Sequence, residues 1–131
     1  MATIGSKQQI LEAEENLKKL SNSDFTELRS YARPPLCVVA ITEAVGTLLD
    51  PSKETWSWDD DKKLMARGKN ALIELLVKLD KDNISDKQLA KVQSILARDD
   101  CEPLRLQSIS ALCAALGVWL RAVVTYATQN K

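Results

Sequence analysis

The 131-residue chain reads as an all-α protein: a short antiparallel coiled-coil segment made from its two ends, capped by a small helical bundle. Three observations carry this expectation. Ile10, Ala13, Leu17 and Leu20 recur at a/d spacing near the start, with Ile4 upstream, and Phe25, Leu28 and Tyr31 continue the apolar side after a break in phase. A second stripe (Ile109, Leu112, Cys113, Leu116, Leu120, Val123, Ala127) lies on one face of a run from about Leu104 to Thr128. Four glycines and four prolines leave little room for a turn-rich β architecture, while abundant Ala, Leu, Lys and Glu favour helices.

The first helix is expected over about Ser6 to Leu20, interrupted by Ser21-Asn22-Ser23-Asp24. Ser23 or Asp24 is placed to cap a new helix, with Glu27 supplying a capping box. The interruption is either a loop between two helices or a phase shift in one coiled-coil arm. Arg33-Pro34-Pro35 ends the arm: a residue before proline leaves the α region, whereas a proline at a helix start costs no hydrogen bond. Pro35 then opens a helix lined by Val38, Ile41, Val45, Leu48 and Leu49, which stops near Asp50-Pro51.

Lys53 to Ser57 reads as a surface connection carrying Trp56 and Trp58. Asp59-Asp60-Asp61 suits the first turn of the next helix, where acids meet the positive end of the dipole. Contiguous aspartates point in different directions around a helix, so no cation site is expected there. Gly68 separates this helix from one carrying Leu72, Ile73, Leu75, Leu76, Val77 and Leu79, apolar nearly all round and expected at the centre of the cap. Asp80-Lys81-Asp82-Asn83-Ile84 forms a turn that lacks the glycine and closing glutamate of a calcium loop. Ser85 caps a helix from Asp86 to about Ala97, with Leu89, Val92 and Leu96 inward. Arg98 to Pro103 is the last loop, and Trp119 is expected in the core with Leu112 and Leu116, where cap meets stem.

Eighteen basic residues balance eighteen acidic ones, so the chain as a whole is no electrostatic binder of nucleic acid or of an anionic membrane. Cys37, Cys101 and Cys113 lack metal spacing, and there is no histidine to complete a zinc site or activate a thiol. Cys37 and Cys113 are expected as buried thiols. No glycine-rich phosphate loop or Ser–His pair is present, and no cofactor is expected. Met1 precedes a polar segment rather than a signal peptide, and no apolar run reads as long and charge-free enough to cross a bilayer. A reducing, cytosolic compartment is expected. A binding module therefore outranks an enzyme.

The ordered features resemble the microtubule-binding domain at the tip of the dynein heavy-chain stalk. The resemblance runs from the Pro34-Pro35 kink through Glu43-Ala44-Val45 to Leu48-Leu49, then Trp58 and Lys62-Lys63-Leu64-Met65. It continues through Leu79-Asp80-Lys81-Asp82-Asn83-Ile84, then Ser110, Ala111, Ala114, Ala115, Trp119 and Tyr126. The Asp80 to Ile84 turn is similar to the axonemal branch. The resemblance implies residues 1–33 as the first stalk strand, 34–118 as the microtubule-binding cap and 119–131 as the start of the returning strand. It further implies that sliding of the strands switches tubulin affinity, that the ATPase ring lies outside this chain, and that the chain works in a ciliary or flagellar axoneme.

The family tends to carry lysine near Val39 and at the position of Val118, and both are apolar here. Tubulin is acidic, so the cations left to face it are Arg33, Lys69, Lys78, Arg105 and Arg121, with Glu43 tuning the contact by repulsion. The losses imply either a weaker microtubule contact or a tip shared with a leucine-rich-repeat light chain, as in outer-arm dyneins of the gamma type. The competing class is a helical adaptor that docks a protein partner without touching tubulin.

Overall fold

The computed structural model describes residues 6–53 and 55–129; Ile4, assigned above to the first stripe, lies outside them. Among the described residues there are eight α-helices and one short 3₁₀ turn, and no strand. The helices are α1 (Ser6–Lys18), α2 (Asn22–Arg29), α3 (Leu36–Leu49), α4 (Trp58–Met65), α5 (Lys69–Lys78), α6 (Asp86–Leu96), α7 (Pro103–Ile109) and α8 (Ala111–Gln129), with the 3₁₀ turn at Asp99–Cys101.

The two ends do pair. Ile10, Ala13 and Leu17 of α1 are buried, as are Leu112, Cys113, Leu116, Trp119, Leu120, Val123 and Ala127 of α8. The helices run antiparallel: Ile10 and Leu11 share a groove with Tyr126, and Glu14, further along α1, meets Trp119, nearly two turns earlier on α8. The stem is not free-standing, because α1 also lies against α5.

Local chemistry corrects four expectations. The interruption after α1 is a true helix boundary, and its cap is Ser21, not Ser23 or Asp24. Ser21 Oγ accepts from the Asp24 amide at 3.3 Å while Asp24 Oδ2 accepts from the Ser21 amide at 2.9 Å, a reciprocal box one turn earlier than expected. Pro35 is the N-cap of α3 rather than its first residue; its extended backbone (φ −55°, ψ 149°) aims the chain into the helix without a side-chain cap. The last helix is two: Ser110 is extended (φ −157°, ψ 127°), and its Oγ accepts from the Cys113 amide at 3.2 Å, restarting the helix. The fifth helix is not apolar all round in effect, since Leu72, Ile73 and Leu76 are buried but Val77 is 40% exposed.

Matching caps start α4 and α6. Ser57 and Asp60 form a capping box, as do Ser85 and Gln88. Gln88 reaches further, donating from Nε2 to the Thr47 carbonyl at 3.1 Å and so fastening α6 to the C-terminal end of α3. Gly46 lets α3 approach the connection after it. A Cβ there would stand 2.6 Å from the Trp56 ring, so the indole lies directly on the helix backbone. Lys53 sits 5.3 Å over the same ring. By length and composition α8 is apolar enough to cross a bilayer, contrary to expectation. Its apolar face is instead spent on the core, which explains the composition.

Candidate functional site

The Arg33-Pro34-Pro35 bend turns the chain into α3 and leaves Arg33 exposed and Leu36 73% exposed at the first turn. That turn packs beside the Asp99–Cys101 segment, and Cys37 lies close enough to Asp100 and Arg98 for both charges to bear on its thiol. Pro103 occupies the first turn of α7, where its missing N–H costs nothing, and beside it Leu104 is 74% exposed and Arg105 is exposed. One end of the cap thus presents two helix starts, two uncovered leucines and two cations. Arg105 stands 3.9 Å from Glu102 in a loose exposed pair, whereas the Arg98 guanidinium grips Asp100 through two bonds of 2.9 and 2.8 Å.

The other charged residues singled out from sequence are dispersed. Lys69 is half-buried at the start of α5, and Lys78 at its end is held by Glu74; both line a groove with Lys18, Ile73 and Val77 between α1 and α5. Glu43 is met at 3.1 Å by Lys91 of α6. Arg121 faces inward: its Nη2 donates to the Leu96 carbonyl at 3.2 Å and the Cys101 carbonyl at 3.1 Å. It satisfies carbonyls at the ends of α6 and of the 3₁₀ turn that would otherwise lack a donor. Val118 is 47% exposed in the α1–α8 groove, while Val39 is half-buried.

Trp119, Leu112 and Leu116 are core, as expected. Sequence reasoning missed what surrounds Trp119. Its indole Nε1 donates to Glu14 Oε2 at 3.1 Å, and Lys81 Nζ approaches the same oxygen at 3.2 Å. Lys81 also donates to the Leu76 and Val77 carbonyls at 3.0 and 3.1 Å, closing the end of α5. Glu14 stands four residues after Ile10 and three before Leu17, a spacing that marks it as inward. Asp61 was also missed. It is fully buried, with Oδ2 2.9 Å from Thr42 Oγ1, and it shares its helix face with Trp58 and Met65.

Burial pushes the Cys101 thiol up to about 11, with Asp100 adding to the effect, and the Cys113 thiol up to about 12, and it raises Cys37 as well. Such thiols stay protonated and inert at neutral pH. Among the described residues no group of three His, Cys, Asp or Glu side chains converges on a point.

This geometry defines a class: a two-helix stem bearing a compact helical cap with a charged and apolar end. A family model described as the microtubule-binding stalk of dynein motor matches residues 4–129. The chain belongs to that family. It is 35% identical over 115 residues to human dynein axonemal heavy chain 2, a match covering 88% of this chain. It is 39% identical over 110 residues to the dynein-1-alpha heavy chain of the flagellar inner arm I1 complex of Chlamydomonas reinhardtii, covering 82%. In both cases the chain spans 2% of the relative's length. The solved microtubule-binding domain of dynein-c shares the fold at a TM-score of 0.72 and 23% identity, covering 95% of this chain and 90% of that one. The axonemal branch suggested by the Asp80 to Ile84 turn is the one these relatives occupy.

Proposed function

We propose that this chain is the tubulin-binding tip of an axonemal dynein stalk, and that it meets the microtubule with the end formed by the starts of α3 and α7. The observation that carries the reading is the family match along residues 4–129, because it covers nearly the whole chain. Arg33 and Arg105 supply exposed positive charge at that end, and Leu36 and Leu104 supply apolar contact. Residues 1–33 and 119–131 are the two stalk strands and 34–118 the cap, with strand register conveying the state of a distant ATPase. Arg121 drops out of the tubulin-facing set, because its charge is directed at backbone carbonyls.

Microtubule co-sedimentation across a salt series tests this. Binding is expected to weaken steadily as salt rises, since the contact depends on charge facing an acidic partner. Arg33→Glu and Arg105→Glu should each weaken it further without lowering the melting temperature. Binding that ignores both salt and these reversals would sink the assignment of this end. A light chain shared at the tip rests on exposed Val118 alone, and the relatives named above include an inner-arm chain rather than one of gamma type. A helical adaptor without tubulin affinity remains the competing class, and it predicts no co-sedimentation at any salt.

A further inference from the structure

The buried pair between α3 and α4 has too few protons if Asp61 is ionised. Thr42 Oγ1 lies 3.0 Å from the Val38 carbonyl, 3.0 Å from the Val39 carbonyl and 2.9 Å from Asp61 Oδ2. A hydroxyl carries one proton, so it cannot donate to three acceptors. Asp61 is 0% exposed, and its other oxygen, Oδ1, is buried with no hydrogen-bond partner among the described residues. A carboxylate so placed would hold its charge with one shared donor, whereas buried charges are ordinarily paired or richly hydrogen-bonded.

A proton on Asp61 repairs the inventory. The acid O–H donates to Thr42 Oγ1, and the Thr42 proton is then free for a helix carbonyl. We propose that Asp61 is carried as a neutral carboxylic acid and acts as a proton-dependent latch of α4 on α3, its ionisation releasing α4. The surroundings agree. Burial pushes its pKa up to about 7 against the lowering effect of the Thr42 hydrogen bond, and the carboxylates of Glu43 on α3 and Asp60 on α4 push the same way as burial. Helices α2 and α5 also touch α4, and of their charged side chains (Asp24, Glu27 and Arg29 on α2; Lys69, Glu74 and Lys78 on α5) none hydrogen-bonds or ion-pairs with Asp61; Arg29 Nε is itself buried without a hydrogen-bond partner.

The sign follows from linkage. The folded state holds this proton more tightly than the unfolded chain, whose carboxyl titrates near 3.8. The stabilisation is therefore complete below that pH, declines as pH rises towards about 7, and is gone above it. The chain contains no histidine, so few other side chains titrate in the upper part of this window.

The test is a carbon-13 titration of the Asp61 carboxyl in the folded wild-type chain, paired with urea unfolding of wild type and Asp61→Asn at pH 5 and pH 8. The titration midpoint should lie above pH 6. The wild-type folding equilibrium constant should fall at least about tenfold from pH 5 to 8, and that of Asp61→Asn should fall by far less. Amide exchange in α4, corrected for base catalysis, should quicken over the same range in wild type alone. A midpoint below pH 5, equal pH dependence in both proteins, or unchanged α4 exchange overturns the latch. If Asp61→Asn does not fold, the wild-type titration and exchange decide the matter.

Discussion

The Trp119 indole and the Glu14 carboxylate, 105 residues apart in the chain, meet in a 3.1 Å hydrogen bond in the middle of the stem. Both are buried, at 0% and 4% exposure, so neither has water to fall back on. The bond joins the two strands at one level only; a slip of one helical turn, about 5.4 Å, would separate the partners. Lys81 brings the cap to the same carboxylate, and Asp82 beside it accepts from the Tyr126 hydroxyl at 2.6 Å. The short turn after α5 therefore grips both stem helices. Stem register and cap position are tied through one carboxylate.

Trp119→Ala should cost about 3–5 kcal/mol, as truncation of a large buried side chain usually does. Trp119→Phe removes the donor while keeping one aromatic ring, so it loses the hydrogen bond together with the volume of the second ring. About 1–3 kcal/mol is expected, because Glu14 loses a partner it cannot replace with water. Urea denaturation of the two variants measures both figures. An unchanged midpoint for Trp119→Phe would show that the indole N–H contributes nothing to stem register.

Gly46→Ala should destabilise by about 1–3 kcal/mol, since the added methyl meets a rigid aromatic ring rather than a movable side-chain end. Trp56→Ala in the same chain should recover part of the loss. A double-mutant cycle measures the recovery as an interaction energy between positions 46 and 56. Additive effects would mean that the indole does not rest on α3.

Much of the fold was legible because it is written in local periodicity. The stripes on α1 and α8 and the buried set on α3 follow from helical spacing alone. Burial of Cys37 and Cys113 was legible as well, from apolar neighbours, whereas that of Cys101, flanked by Asp100 and Glu102, was not. The division at Ser110 was not, because Leu106, Ile109, Leu112 and Leu116 keep helical spacing through a residue whose backbone is extended. The site was less legible still. Whether Arg121 faces solvent or the Leu96 and Cys101 carbonyls depends on where α6 ends in space, and Asp61 is polar in type but core in position. Charge type announces a surface role, and only packing reveals the exceptions.

Arg121 and Arg33 should accordingly behave as opposites. Arg121→Ala leaves two carbonyls half-buried without their donor and removes a stem that fills the α1–α8 groove. A loss of about 1–3 kcal/mol in stability is expected. Arg33→Ala, on an exposed side chain, should stay within about 0.5 kcal/mol of wild type. Thermal unfolding of both variants separates the roles, and equal losses would contradict the inward placement of Arg121.

Gln88 offers a sharper test of how the cap is assembled, because its side chain works at two levels at once. Its Oε1 accepts from the Ser85 amide at 2.9 Å, completing the box that starts α6, and its Nε2 donates to the Thr47 carbonyl at the end of α3. Ser85→Ala removes only the local cap and should cost about 0.5–2 kcal/mol. Gln88→Ala removes the reciprocal cap bond and also orphans a buried carbonyl on another helix, so it should cost more. Gln88→Glu keeps the acceptor for the Ser85 amide but replaces the donor with an oxygen facing the Thr47 carbonyl. It should therefore destabilise at least as much as Gln88→Ala at neutral pH and partly recover in acid, when protonation restores a donor. Urea unfolding of the three variants at pH 4 and pH 7 tests the ordering. A Gln88→Glu variant as stable as wild type at pH 7 would show that the bond to Thr47 does not hold α6 on α3.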